Sequence, residues 1–291
     1  MSEDRGVPGR RFVDDDADLS LVQDRNVAVI GYDDLAAASA RCLRDSGVDV
    51  RIGLEPDGPG ASDAEAEGLR VVAPYEACEE ADLIVVLTES VAGGFRAGVL
   101  ANLVPGDVVV LGPGVDATPF TTDAAATGVD VVRVAAWAGG ATLREEYSQG
   151  RGVAMFAAVV QDASGSAWDL ALAYARAVGA TRAGVLRVGE EEYRTARETA
   201  DTLLGDEVLR LLRAGFDSLV ASGCRPEVAY LTCIHGLAGF ADQLGRGTLD
   251  AKMTAVRASD RAASTADPFG PAAGAVRSMI AWSSSADAGL H

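Results

Sequence analysis

Eight short apolar segments alternate with helix-forming segments up to about residue 187 of this 291-residue chain. They are rich in Val, Ile and Leu and nearly continuous in apolar character, which is typical of parallel strands that helices cover on both faces. The pattern therefore predicts an α/β fold with a Rossmann-like, doubly wound, mostly parallel sheet. The predicted strands are 26–32, 48–54, 70–72, 82–87, 107–111, 130–136, 153–160 and 182–187, and the predicted helices between them are 34–46, 75–80, 91–101 and 164–178.

Strand-like segments end near Val188, and helical spacing of apolar residues replaces them. Helices are predicted over 190–222, from Pro226 to about Leu244, and over 248–262. The chain is therefore expected to have four parts. In order, these are a disordered acidic arm (1–18), a Rossmann-like domain (19–187), a smaller all-helical domain (188–262) and a partly ordered tail (263–291).

Charge and composition exclude several classes of function. The net charge of −18 argues against a nucleic-acid partner and against an anionic membrane surface. No apolar run reaches the roughly 18 residues that a membrane-spanning helix needs, and the charged first residues are unlike a secretory signal. A cytoplasmic location is therefore expected. The four cysteines form no C-x-x-C pair, and with two histidines the chain predicts no metal site built from these residues.

The turn after the first predicted strand is acidic where a phosphate cradle would be rich in glycine. It reads Gly31-Tyr32-Asp33-Asp34-Leu35-Ala36, so only Gly31 remains of a G-x-G-x-x-G motif. Asp33 and Asp34 can cap the following helix, but they would repel a phosphate at its N-terminus. These two residues are either plain helix caps or polar groups that line an emptied cofactor cleft.

Stretches over residues 18–245 together resemble the ketol-acid reductoisomerase family. The resemblance implies isomerisation and reduction of acetohydroxy acids, with NADPH, two magnesium ions held by carboxylates, and helices that interlock in a dimer. The matching stretches are Asp18–Gln23, Val27–Tyr32, Leu43–Val50, Glu65–Leu69, Asn102–Asp107, Arg144–Tyr147, Gly150–Val153, Gln161–Gly165, Gly184-Val185, Ala214–Phe216, Leu219-Val220 and Pro226–Tyr230.

Transferred residue by residue, the resemblance meets departures at the cofactor and acid–base positions. Leu54–Gly60 replaces the basic cluster that holds the 2′-phosphate of NADPH, although Glu55 could hold an unphosphorylated ribose. Pro113 stands in the place of the family's catalytic histidine, and Trp137 in the place of its catalytic lysine.

The metal-binding positions depart as well. Thr202 and Asp206 replace the aspartate and glutamate of one helix, so a single shorter carboxylate remains there. On the partner helix Thr232 and Gly236 replace two glutamates, and His235 stays between them. Two magnesium ions need several oxygen ligands, which Asp206 alone cannot supply.

From these departures we expect reductoisomerase activity to be lost. If the protein is an enzyme, a non-redox, metal-independent isomerase, cyclase or lyase is expected, acting on a small or apolar organic substrate in specialised metabolism. No cofactor and no metal are expected, with NADPH and magnesium the least favoured. The alternatives are a non-catalytic binding or scaffold protein and a divergent reductase that uses NADH through Gly31 and Glu55. A homodimer through the helical domain is expected.

The candidate catalytic residues are His235, Trp137 and Asp206, and the ancestral cofactor positions are Gly31, Asp33, Asp34 and Glu55. Each catalytic candidate has a structural alternative. Trp137 is either a stacking wall for an apolar ligand or a cavity filler. Asp206 is a pocket carboxylate or part of a solvated helix face. His235 is a buried structural residue or a general acid or base.

Overall fold

The computed structural model describes residues 10–55, 57–87, 97–122 and 128–245. The chain divides into two compact units, one spanning Val7–Arg194 and the other beginning at Thr195. This division falls a few residues after the predicted domain boundary at 187/188. The predicted helix 248–262, the tail 263–291 and the first part of the predicted helix 91–101 lie outside the described residues.

A nine-stranded sheet forms the core of the first unit, in the order β1-β9-β8-β7-β6-β5-β2-β3-β4. The predicted Rossmann-like fold is confirmed, and all eight predicted strands are present, most with small differences at their ends. The strand predicted over 182–187 begins only at Val185, because Ala180–Ala183 form a short helix. The strands are β1 (Arg11–Phe12), β2 (Asn26–Ile30), β3 (Asp49–Gly53), β4 (Arg70–Val72), β5 (Leu83–Val86), β6 (Val108–Leu111), β7 (Asp130–Ala136), β8 (Met155–Gln161) and β9 (Val185–Arg187).

The central strands β4, β3, β2, β5, β6 and β7 pair in parallel, whereas β8 is antiparallel to β7. Strands β5, β6 and β7 are buried along their whole length, as expected for strands that helices cover on both faces. The chain runs outward from β2 to β4 and then returns to β5 on the other side of β2. This reversal of direction is the switch point at which doubly wound sheets bind ligands.

The prediction of a disordered arm over 1–18 is wrong for residues 10–18. Strand β1 pairs antiparallel with β9, and the Phe12 ring packs edge-on against Trp168 at 4.9 Å. Residues Asp14–Asp16 form a short 3₁₀ turn, and Arg176 donates to the Asp14 carbonyl at 3.0 Å. The acidic composition of this segment gave no sign of these contacts, because their partners lie far away in the sequence.

Helices flank the sheet, and the predicted helices 34–46, 75–80 and 164–178 correspond to α2, α4 and α8. The short helices α3 and α7 were not predicted, because few of their residues are apolar. The helices of this unit are α1 (Ser20–Gln23), α2 (Asp34–Asp45), α3 (Ala61–Ala66), α4 (Pro74–Glu79), α5 (97–102), α6 (Pro119–Thr122), α7 (Gly140–Ser148), α8 (Ala167–Ala177) and α9 (Ala180–Ala183).

The second unit is helical over its described part. Helix α10 (Glu190–Ala200) leads into it, followed by a π-helical segment (Asp201–Glu207), α11 (Val208–Ala221) and α12 (Pro226–Gly245). Helices α11 and α12 pack against each other. None of the helices in the described ranges combines the length and the apolar character needed to cross a bilayer.

Helix α7 approaches the start of α2 more closely than any side chain would allow. A Cβ atom placed on Gly140 would lie 1.9 Å from the Asp34 carbonyl oxygen, well inside a van der Waals contact. The obstacle is backbone at a helix N-terminus, which cannot rotate away as a side chain could. Glycine at position 140 is therefore required for the packing of α7 on α2.

We expect Gly140→Ala to lower the free energy of unfolding by about 3 kcal/mol, because the backbones of both helices must separate. Gly98→Ala is the matched control: nothing lies within 4 Å of its added Cβ, and the helical position favours alanine by about 0.5–1 kcal/mol. Urea unfolding followed by far-UV circular dichroism measures both variants. Equal midpoints for Gly140→Ala and the wild type would contradict the close approach.

Candidate functional site

The carboxyl end of β2 opens onto the switch point of the sheet. Gly31 takes a left-handed conformation with φ of +84°, and its N–H donates to the Gly53 carbonyl at 2.9 Å. This hydrogen bond continues the pairing with β3 by one residue before the chain turns into α2. The loop Gly31–Asp34 therefore leaves the sheet where ligands of doubly wound folds bind.

Asp33 and Asp34 each cap a different helix. Asp33 is the N-cap of α2, and its Oδ1 accepts from the Ala36 N–H at 2.9 Å. Asp34 Oδ2 accepts from the Gly140 N–H at 2.7 Å, at the start of α7. Backbone donors and the positive ends of both helix dipoles stabilise these carboxylates. The prediction that these residues cap the following helix is confirmed for Asp33 and wrong for Asp34, which is the first residue of α2 and accepts from the start of α7 instead.

An open cleft of about 400 Å³ lies between this loop and α3. That volume is within the range of small-ligand sites. Four of its lining side chains are carboxylates, and none is basic. The lining residues are Tyr32, Asp33, Asp34, Ala37, Gly60, Asp63, Ala66 and Glu67. Asp33 and Asp34 thus line a cleft as well as accepting backbone hydrogen bonds at helix N-termini. That this cleft is a cofactor site stays a prediction.

Glu67 connects the two walls of the cleft by hydrogen bonds. Its Oε2 accepts from the Tyr32 hydroxyl at 2.7 Å, and its Oε1 pairs with Arg41 Nη1 at 3.0 Å. Burial, together with the hydrogen bond to Glu67, raises the pKa of the Tyr32 phenol well above its ordinary value, so it stays a proton donor. Because Glu67 pairs with the Arg41 guanidinium, this cation is already engaged at the edge of the cleft, and the other three lining carboxylates set its acidic character.

Glu55 is not part of this cleft. It lies exposed in the turn after β3, where its carbonyl accepts from the Gly58 N–H at 2.7 Å. The carboxylates that do line the cleft from this side are Asp63 and Glu67, which the sequence reasoning missed. The four-residue spacing between Asp63 and Glu67, in the segment bounded by Gly60 and Gly68, would have been the signal for a short helix that presents both on one face.

Trp137 follows the carboxyl end of β7 and remains 46% exposed. Its ring meets Phe156 edge-on at 6.5 Å, and Phe156 meets Tyr193 at 6.3 Å. A side chain with this exposure does not fill a closed cavity, so the geometry favours the stacking-wall alternative. Trp137 stays a predicted site residue.

His235 and Asp206 belong to the second compact unit, whereas Trp137 and the cleft belong to the first. His235 lies on α12 and is exposed in the single chain, so its interpretation as a buried structural residue is wrong there. Asp206 is 68% exposed and lies 3.9 Å from Arg210, one helical turn away. This favours the solvated-face alternative for Asp206.

The residues present do not fit a two-magnesium site. Within the described ranges, no three or more histidine, cysteine or acidic side chains group so that they could hold a metal ion. Asp206, the one carboxylate retained from the implied ligand set, is paired with Arg210 instead. We therefore derive no chemical step through a metal ion.

Comparison with known proteins establishes the family. The family model described as acetohydroxy acid isomeroreductase, NADPH-binding domain, matches residues 21–184. The ketol-acid reductoisomerase (NADP(+)) of Renibacterium salmoninarum is 43% identical over 244 residues, covering 81% of this chain and 70% of that protein. That of Beutenbergia cavernae is 42% identical over 239 residues, with the same coverage. The chain belongs to the ketol-acid reductoisomerase family.

A solved structure agrees with this assignment. The NADH-preferring ketol-acid reductoisomerase from an uncultured archean superposes with a TM-score of 0.77 at 28% identity. The match covers 97% of this chain and 89% of that one.

These findings correct two expectations. Loss of reductoisomerase activity and reuse as a non-redox isomerase, cyclase or lyase is wrong, as is the scaffold alternative. Relatives 41–43% identical over 81% of the chain are ketol-acid reductoisomerases. The expectation of no cofactor is wrong too, because the matched domain is the family's NADPH-binding domain. Nothing in the relatives supports a role in specialised metabolism.

The physical reason for the error lies in Asp33 and Asp34. The sequence analysis allowed both to cap the following helix but expected their charges to repel a phosphate, whereas in the structure each carboxylate accepts a backbone hydrogen bond at a different helix N-terminus. Their charge is partly offset by these donors and by the helix dipoles. Substitutions at single positions therefore do not outweigh the similarity of the chain as a whole to ketol-acid reductoisomerases.

We expect Asp33→Ala to lower the free energy of unfolding by about 1 kcal/mol, because the Ala36 N–H loses its acceptor. Asp33→Asn, which keeps a cap of similar strength, should cost only a few tenths of a kcal/mol. Thermal and urea unfolding distinguish the two variants. An equal loss for both would show that the negative charge, and not the cap, stabilises the native state.

Proposed function

We propose that this protein is a nicotinamide-dinucleotide-dependent reductoisomerase that acts on an acetohydroxy acid. The observation that carries the proposal is the 43% identity to a ketol-acid reductoisomerase over 81% of the chain. The cleft beside the switch point supports it, because it lies where the adenosine half of a dinucleotide binds in doubly wound folds.

The cleft favours the nucleotide without a 2′-phosphate. Carboxylates accept hydrogen bonds from ribose hydroxyls, and they repel the two negative charges of a 2′-phosphate. Asp63 supplies such a carboxylate, and Glu67, which also lines the cleft, pairs with Arg41 and so occupies that cation. NADH is therefore the expected partner, as for the NADH-preferring structural relative and unlike the relatives named for NADP(+).

When bound, the nicotinamide nucleotide supplies hydride for reduction. The role of the chain's own residues is to bind and orient the nucleotide. Tyr32 donates its one hydroxyl proton to Glu67, so its oxygen can act toward a ligand as an acceptor, and Asp63 faces the same cleft. Pro113 and Trp137, at the two positions that the resemblance assigns to acid–base chemistry, have no group that titrates near neutral pH. They can shape the site, but they cannot exchange a proton with the substrate.

The proposal is tested by nucleotide binding and turnover. Titration by protein fluorescence should give a dissociation constant for NADH about tenfold below that for NADPH, or about 1.4 kcal/mol. Asp63→Arg should reduce or reverse this preference, because it replaces a cleft carboxylate with a cation. Glu65→Arg, with the same charge change on the same helix outside the cleft, is the control and should leave the preference nearly unchanged.

Turnover is measured as nucleotide oxidation with acetolactate and Mg²⁺. Absence of oxidation with both nucleotides would contradict the proposed function. Binding of NADPH in preference to NADH, unchanged in Asp63→Arg, would contradict the assignment of the ribose site and leave the family activity standing.

We further propose a homodimer through the helical unit. Seven large apolar side chains on α11 and α12 are exposed in the single chain, more than water-facing helices ordinarily carry. They are Leu209, Val220, Val228, Tyr230, Leu231, Ile234 and Leu237. A small-molecule substrate, a cytoplasmic location and the lack of nucleic-acid or membrane partners stay predictions.

Sedimentation velocity at micromolar protein should show a dimer. Tyr230→Glu should shift it towards monomer by at least tenfold in dissociation constant, because a charge replaces an aromatic ring in the proposed interface. Tyr75→Glu is the matched control, since Tyr75 on α4 is 59% exposed against 57% for Tyr230. A wild-type monomer, or equal effects of the two substitutions, would refute the proposed interface.

A further inference from the structure

A charged residue lies in the middle of a strand that is buried along its whole length. Arg133 belongs to β7, whose seven residues are all buried, and it is 3% exposed among Val and Ala neighbours. Taking a guanidinium out of water is costly unless it is paired and hydrogen-bonded. An apolar residue of similar volume would often stabilise such a site equally well. The arginine therefore calls for an explanation beyond stability.

Arg133 donates hydrogen bonds to two carbonyl groups of a single turn. Nη1 donates to the Gly112 carbonyl at 2.7 Å, and Nη2 donates to the Val115 carbonyl at 2.9 Å. This turn, Gly112–Val115, follows β6 at the carboxyl edge of the sheet. It lies on the β5–β6 side of the switch point, opposite the cleft on the β3 side. The second half of a dinucleotide extends to that side in doubly wound folds.

Glu190 fixes the guanidinium from the other direction. Its two carboxylate oxygens accept from Arg133 Nε at 2.9 and 3.1 Å, and Oε1 also accepts from Nη2 at 2.6 Å. The Tyr193 ring covers the guanidinium at 5.0 Å. Glu190 is the first residue of α10, so the helix start, the buried arginine and the turn form one connected cluster.

The same cluster reaches the exposed Trp137. Tyr193 meets Phe156 edge-on, and Phe156 meets Trp137. Two features of the carboxyl edge, the Gly112–Val115 turn and the Trp137 ring, are therefore held by one set of packed and hydrogen-bonded groups. A planar guanidinium that donates in several fixed directions is suited to this positioning, and a lysine is not.

We propose that the Arg133–Glu190 pair is a positioning device for the reaction, which sets the Gly112–Val115 turn against the reacting end of the bound nucleotide. The proposal rests on the proposed function. It predicts that mutations of this pair affect the rate of reduction and the nucleotide affinity differently, because the adenosine half binds in the separate cleft lined by Asp63 and Glu67. Misplacing the turn should lower the rate of reduction and leave nucleotide affinity nearly intact.

The test compares Glu190→Gln with Glu191→Gln in the full chain. Both remove one carboxylate from the same helical turn, but Glu191 is exposed and pairs with the exposed Arg194. Glu190→Gln should lower kcat by about tenfold or more, with the NADH dissociation constant within about threefold of the wild type. Arg133→Met should lower kcat further, and Glu191→Gln should leave both quantities unchanged.

Hydrogen exchange provides a second readout that does not depend on turnover. Backbone amides of residues 111–118 should exchange faster in Glu190→Gln than in Glu191→Gln or the wild type, with β2 and β5 unaffected. If the wild type neither binds nor oxidises a nucleotide, the proposed function fails, and this exchange difference alone decides whether the pair holds the turn.

Three results would overturn the positioning role. One is a Glu190→Gln variant with wild-type kcat. Another is a parallel loss of kcat and NADH affinity, which a general loosening of the fold would produce. The third is unchanged exchange at the turn.

Discussion

Two adjacent carboxylates hold the N-termini of two helices at the point where the first central strand ends. Asp33 caps α2 and Asp34 caps α7, and the absence of a side chain on Gly140 lets the two helices meet. This junction fixes the loop Gly31–Asp34 at the switch point of the sheet. The cleft on one side and the packing of α7 on the other both depend on it, because both begin at these residues.

The same junction explains how an acidic turn is compatible with a dinucleotide-binding family. Helix N-termini carry partial positive charge, and here part of it is used to stabilise protein carboxylates. What remains at the cleft is an acidic surface with hydrogen-bond acceptors, which suits ribose hydroxyls better than a phosphate dianion. The fold of the family is therefore compatible with acidic chemistry at this edge of the sheet.

Buried charge serves two different purposes in this fold. Asp130 is a structural example: it accepts from the Ala163 and Ser164 N–H groups and closes the loop after β8. Arg133, three residues along the same strand, connects a turn at the functional edge with the start of α10. The first arrangement satisfies the backbone hydrogen-bond donors of a loop. The second joins parts of the site that no continuous segment of chain connects.

Much of the architecture could be predicted from sequence, because it depends on local pattern. Continuous apolar runs predicted every central strand, and an acidic residue before an apolar helix predicted the Asp33 cap. The resemblance predicted the family. Predictions failed where a conclusion needed the partner of a residue: Asp34 caps a helix 106 residues away, and β1 pairs with β9 at the far end of the unit.

The sequence by itself determined the periodicities of strand and helix, the acidic balance and the identities of the side chains at each turn. Only the tertiary structure decided that Asp63 and Glu67 line the cleft while Glu55 does not, and that Arg133 binds a turn and a helix start. The physical reason is the distance along the sequence over which each kind of interaction acts. Periodicity reports which face of an element is buried, whereas hydrogen-bond partners depend on which elements the folded chain brings together.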